Sequence, residues 1–140
     1  MKSLYTTSVT ANGGRNGKVK SENGILELDV RSPKALGGKD DAFANPEMLF
    51  AAGYASCFGS ALSLVIGKSK IEAGEPTVTA QVSLGQIENG GFGLAVEMDV
   101  NIPNVTIEEA QELTEKAHQV CPYSNATRNN IEVKLAVTNN

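Results

Sequence analysis

The chain has one histidine and two cysteines among its 140 residues, and nothing charged between Met48 and Gly67. A lone histidine with no companion ligands at suitable spacing leaves no clustered metal site, so no metal is expected. Lys and Arg number 12 against 16 Asp and Glu and are scattered along the sequence. Without a basic patch to neutralise phosphates, nucleic acid is not an expected partner. The opening Met1-Lys2-Ser3-Leu4-Tyr5-Thr6-Thr7 lacks both the apolar run and the small-residue cleavage site of a secretory signal. It predicts the start of a strand in a cytoplasmic protein. With no low-complexity tract, internal repeat or linker, residues 1–140 are expected to form one domain. Two distant cysteines in such a chain are poor candidates for a structural staple, because cytoplasmic thiols are kept reduced; redox chemistry is the leading use for them.

Strand signals dominate the flanks. Leu26, Leu28 and Val30 alternate with Glu27 and Asp29 after Asn23-Gly24, a pair that tolerates the positive φ of a tight hairpin. Val78, Ala80, Val82 and Leu84 alternate in the same way, Asn89-Gly90-Gly91 interrupts, and Phe92, Leu94, Val96, Met98, Val100 and Ile102 resume, predicting a second hairpin with one buried face. Thr106 and Glu109 form a capping-box pair ahead of an inward stripe of Ala110, Leu113, Ala117 and Val120, which Cys121 joins. Pro122 stops or bends that helix, a short turn follows, and Ile131, Val133, Leu135 and Val137 predict a last strand. The order is strands, helix, strands, helix, strand, an α+β arrangement of antiparallel sheet with helices on one face.

The uncharged stretch begins at Asn45-Pro46-Glu47, where Asn caps, Pro fits the first turn and Glu complements the helix dipole. A helix apolar on every side predicts burial. It is long enough to span a membrane, but Gly53, Ser56, Gly59, Ser60 and Ser63 dilute it and the surrounding strand patterns belong to a soluble fold.

Residue by residue, the bland readings are strong. A cysteine inside an apolar helix, such as Cys57, behaves as a small hydrophobe unless a nearby cation stabilises its thiolate. Arg15, in Asn12-Gly13-Gly14-Arg15-Asn16-Gly17, reads as a hairpin tip; this is no phosphate loop, since no Lys-Ser/Thr ending or helix follows. Glu47 serves its helix dipole, and His118 reads as a solvated helix residue.

Two longer segments change this. Asn45-Pro46-Glu47-Met48-Leu49-Phe50-Ala51-Ala52-Gly53-Tyr54-Ala55-Ser56-Cys57-Phe58 and Val120-Cys121-Pro122-Tyr123-Ser124-Asn125-Ala126-Thr127-Arg128 resemble the two cysteine signatures of organic hydroperoxide resistance proteins, within the OsmC-like superfamily. Gly14-Arg15-Asn16-Gly17 and Gly37-Gly38 resemble that family's Gly-Arg turn and its Gly-rich approach to the helix. The similarity spans nearly the whole chain.

The resemblance implies an intertwined homodimer with sheets wrapped around central buried helices. It implies a peroxidase in which Cys57 attacks the peroxide, giving an alcohol and a sulfenic acid, and Cys121 condenses with it to a disulfide. Arg15 would keep the thiolate ionised and hydrogen-bond the peroxide, Glu47 would orient Arg15, and Phe50, Tyr54 and Phe58 would receive the alkyl group. No bound cofactor is implied; the co-substrate is a dithiol, of the dihydrolipoyl type carried on proteins. The competing readings are a peroxidase of the OsmC type proper and a redox-sensing module with a reversible disulfide. Glu47 and Cys57 are ten positions apart, about 15 Å and about 80° on one helix. Either Arg15 bridges that gap within one chain, or Glu47 of one chain approaches Cys57 of the other between two antiparallel helices of a dimer; the shared site is the expectation.

Overall fold

The computed structural model describes residues 1–140. The chain falls into two compact units, Met1–Leu49 and Phe50–Asn140.

The first unit is an antiparallel meander of β1 (Val9–Asn12), β2 (Gly17–Ser21) and β3 (Glu27–Val30). Its first turn depends on glycine: Gly13 has φ 76°, and a Cβ on Gly17 would lie 1.7 Å from the Asn12 carbonyl oxygen. Only a residue without a side chain lets the strands close there, and that closure presents Arg15 from a single 3-10 turn, Gly14–Asn16. The expected Asn23-Gly24 turn forms, with Gly24 at φ 71° and Asn23 Oδ1 accepting from the Ser21 hydroxyl at 2.7 Å and the Ile25 amide at 3.1 Å. The expected apolar face of β3 is shallower than its alternation suggests: Val30 is buried, whereas Leu28 remains 37% exposed. At the end of this unit Asn45 caps the next helix, its Oδ1 accepting from the Met48 amide at 2.9 Å. That helix, α1, spans Pro46–Lys68.

The second unit holds a three-stranded sheet in the order β4 (Thr77–Gln86), β5 (Phe92–Asn101), β6 (Val133–Thr138). β4 and β5 form the expected antiparallel hairpin, with Thr77 opposite Asn101 and Gln86 opposite Phe92. β6 lies on the other side of β5 and runs parallel to it, with Val96 opposite Val133, so the sheet is not antiparallel throughout. A parallel pair needs a long crossover, supplied here by α2 (Ile107–Val120) and α3 (Pro122–Thr127). Val96, Met98 and Val100 of β5 are buried, while Glu97 and Asp99 alternate onto the exposed face.

The capping box at Thr106 and Glu109 is complete, and Ala110, Leu113 and Ala117 point into the core with Thr114. Val120 departs from the expected stripe at 48% exposed, because the helix ends there and the chain turns away at Cys121. The burial expected for α1 is only partly realised. Tyr54, Phe58, Ala61 and Leu62 form one buried stripe, whereas Met48 and Leu64 are about half exposed, together with Ala52, Ser56, Ser60, Ser63 and Gly67. The sheet and α2 can cover one face of a helix and no more. The face left open is a row of small residues spaced three or four apart.

Candidate active site

Helix α1 carries Cys57 one residue before the buried Phe58, and the α2–α3 junction carries Cys121. Cys121 is the last residue before Pro122, with φ −64° and ψ 122°, so it belongs to an extended break between two helices. That break turns its side chain toward α1. The two sulfurs are 3.8 Å apart, the Cys121 thiol facing Cys57, and both thiols are free. Cys121 is fully buried and Cys57 partly so. A disulfide requires sulfurs about 2.0 Å apart, so roughly 1.8 Å of approach closes the pair, within reach of side-chain rotation and small backbone shifts.

Burial pushes the Cys57 thiol above its ordinary pKa, and the neighbouring Cys121 thiol adds to this, while the Tyr123 backbone N–H pulls the other way. Within this unit Cys57 is a partly buried thiol whose ionisation is disfavoured.

The surroundings of the pair are tightly tied. Tyr54, three residues before Cys57, is fully buried; its hydroxyl donates to Ser124 Oγ at 3.0 Å and contacts Thr127 Oγ1 at 3.0 Å. His118 Nδ1 lies 2.9 Å from the same Ser124 Oγ, and Arg128 Nη2 donates to the His118 carbonyl at 2.7 Å. Gly53 leaves room for the Tyr123 ring, since a Cβ there would lie 3.0 Å from the Tyr123 hydroxyl oxygen.

Of the three residues expected to receive an alkyl group, Tyr54 and Phe58 are fully buried packing residues with no free face in this unit. Phe58 lies against the His118 ring, 6.3 Å between centroids. Phe50 alone borders open space, a cavity of about 560 Å³ also lined by Ile87, Phe92, Leu94 and Ile131.

In the first unit, Arg15 and Glu47 meet as a two-pronged pair, Nη1 to Oε2 at 2.8 Å and Nη2 to Oε1 at 2.5 Å. The Glu47 carboxyl is held below the usual carboxylate range chiefly by these hydrogen bonds, against the opposing effect of burial. The Arg15 side chain remains 35% exposed against 15% for Glu47, so the guanidinium keeps a face available to another group. Of the residues singled out from the sequence, the fold therefore joins Cys57 with Cys121 and Arg15 with Glu47. The Tyr54–Ser124–His118 cluster was not anticipated; the only trace of it in the sequence is the group of hydroxyl residues directly after Cys121-Pro122.

A pair of free thiols, one on a helix and one at the break between two others, corresponds to a known group of proteins. The chain belongs to the OsmC-like protein family, which matches residues 38–136. Within that family its relatives are specific. It is 47% identical over 137 residues to the organic hydroperoxide resistance protein of Xanthomonas axonopodis pv. citri, covering 97% of this chain and 96% of that protein. It is also 47% identical to the organic hydroperoxide resistance protein OhrB of Bacillus subtilis, covering 94% and 96%. Among solved structures, an organic hydroperoxide resistance protein from Elizabethkingia anophelis superposes with a TM-score of 0.97 at 72% identity, each chain covered in full.

Proposed function

We propose that this protein is a cysteine-based peroxidase that reduces organic hydroperoxides to alcohols. The observation that carries the reading is the pair of free thiols 3.8 Å apart, one buried and one partly accessible, in a chain whose relatives are named for organic hydroperoxide resistance. The Cys57 thiolate attacks the terminal peroxide oxygen; an S–O bond forms, the O–O bond breaks, and the departing alkoxide takes up a proton. Sulfur is thereby oxidised by two electrons to a sulfenic acid, and the peroxide is reduced to an alcohol. Cys121 then attacks the Cys57 sulfur, an S–S bond forms, and the hydroxyl leaves as water.

Arg15 supplies the cation that the partly buried Cys57 lacks in its own unit, and Glu47 fixes the plane of the guanidinium. Phe50 and its cavity favour an alkyl or lipid group over the small hydrogen peroxide molecule. A dithiol of the dihydrolipoyl kind, borne on a protein, reopens the disulfide, with no bound cofactor, in the cytoplasm. The small-residue face of α1 fits close packing against a second copy, which supports a homodimer with shared sites.

Steady-state consumption of tert-butyl hydroperoxide with dihydrolipoamide tests the proposal: a peroxidase keeps turning over, whereas a sensor oxidises once and stops. Cys57→Ser should abolish turnover, and Cys121→Ser should still consume about one peroxide per Cys57. First oxidation retained in Cys57→Ser and lost in Cys121→Ser would reverse the roles.

A further inference from the structure

We propose that His118 is a positioning residue for Cys121, acting through Ser124 to hold the resolving thiol opposite Cys57 across the α2–α3 break. The proposal rests on the peroxidase reading above. Its ground is the hydrogen-bond geometry around the break.

Cys121 lies where helical backbone bonding is interrupted: its amide still bonds back to Ala117, its carbonyl already accepts from Asn125, and its own backbone is extended. An extended residue between two helices is free to swing unless something spans it. His118 and Ser124 stand three residues before and three after Cys121, and their 2.9 Å hydrogen bond is such a span. Tyr54 ties the same Ser124 oxygen to α1 three residues before Cys57. The two cysteines are thus joined, outside their own sulfurs, by a short chain of side chains through Tyr54, Ser124 and His118.

The hydrogens in this network fit together with His118 Nδ1 as the final acceptor. Ser124 Oγ receives the Tyr54 hydrogen, and in the tautomer with Nδ1 unprotonated the Ser124 hydroxyl donates to His118. Burial, and then the positive charge of Arg128, both hold His118 toward that neutral form. Ser124 is fully buried, so no water competes for its hydroxyl.

His118 touches neither sulfur and has no part in attack on the peroxide. Its effect falls on the second step, in which Cys121 attacks the sulfenic sulfur and water leaves. Loss of one net intramolecular hydrogen bond corresponds to about three- to tenfold in that step.

The test is a single turnover of the reduced protein with one equivalent of tert-butyl hydroperoxide. Sulfenic acid is trapped with dimedone at successive times, and disulfide is measured by mass spectrometry. His118→Leu keeps apolar packing against Phe58 and lacks the acceptor; Ser124→Ala removes the other end; His118→Asn places an amide oxygen near the position of Nδ1. Sulfenic acid should form at the wild-type rate in all three. Disulfide closure should slow about three- to tenfold in His118→Leu and Ser124→Ala, with no further loss when they are combined, and return to within about twofold of wild type in His118→Asn. Wild-type closure in His118→Leu, equal slowing of both steps, or no recovery in His118→Asn overturns the positioning role. Failure of the wild-type protein to form sulfenic acid and disulfide at all would instead overturn the peroxidase reading itself.

Discussion

Replacing Arg15 by alanine sets two opposed influences on Cys57 against each other. Within its own unit burial holds the sulfur as a thiol, and the Tyr123 N–H offsets this only in part. If Arg15 is the missing cation, its removal leaves burial opposed by the Tyr123 N–H alone. A hydrogen bond to a charged group contributes about 1.5–3 kcal/mol. Because 35% of the Arg15 side chain is open to solvent, screening places it in the lower half of that range, about 1.5–2 kcal/mol. At tenfold per 1.36 kcal/mol, the first oxidation at neutral pH should slow by about 10- to 30-fold. The background for the assay is Cys121→Ser, so that one sulfur titrates and the neighbouring thiol no longer contributes. Ultraviolet thiolate absorbance followed against pH should move to higher pH in Arg15→Ala, and stopped-flow oxidation should slow in parallel. Arg15→Lys should recover little, since an ammonium cannot satisfy both Glu47 oxygens and a third group in one plane. An unmoved titration together with a rate within about twofold of the parent would remove Arg15 from the chemistry.

The folded-state pKa of Glu47 is depressed by Arg15, so the pair stabilises the protein fully above the ordinary carboxylate range and loses that contribution as pH falls through the depressed value. Glu47→Gln should therefore lower stability near neutrality and flatten its acid dependence in urea titrations; an unchanged acid limb would deny the pairing. Gly17→Ala drives a Cβ into the Asn12 carbonyl, and backbone on both sides leaves it nowhere to go. A loss of about 2 kcal/mol on thermal denaturation, with the peroxidase rate falling as Arg15 loses its turn, is expected. Mixing Cys57→Ser with Glu47→Ala chains should restore roughly a quarter of wild-type sites if each site draws on two subunits. No recovery from verified mixed dimers would place both residues in one chain's site.

The helix starts and tight turns were legible because each depends on a local chemical rule. Asn45 caps where an Asn-Pro-Glu sequence says it should, Thr106 and Glu109 close their box, and Asn23-Gly24 turns. The direction of β6 was not legible, since a period of two reads the same whichever way a strand runs beside its neighbour. Composition marks α1 as apolar all round but is silent on how much of that surface its own chain covers. Helical phase had more to give. Tyr54, Phe58, Ala61 and Leu62 recur at the spacing of one face, the face that the core of this unit covers. The cluster around Ser124 escaped because its partner Tyr54 is 70 positions away, beyond any local pattern. The Cys57–Cys121 and Arg15–Glu47 pairings were reached by family resemblance, not by spacing.

The parallel pairing of β5 and β6 also imposes an order in time on a chain made from its N-terminus. The crossover that carries Cys121 is anchored at its far end by β6, so the packing around Cys121 is complete only when the residues through Thr138 have joined the sheet. Cys57 emerges 64 residues earlier. During that interval an oxidant that reaches the nascent thiol meets a cysteine whose neighbouring thiol is not yet in place, and a sulfenic acid formed there is open to further, irreversible oxidation. Synthesis under peroxide stress should therefore yield a fraction of chains carrying sulfinic or sulfonic acid at Cys57 alone, the record of molecules attacked before they were finished.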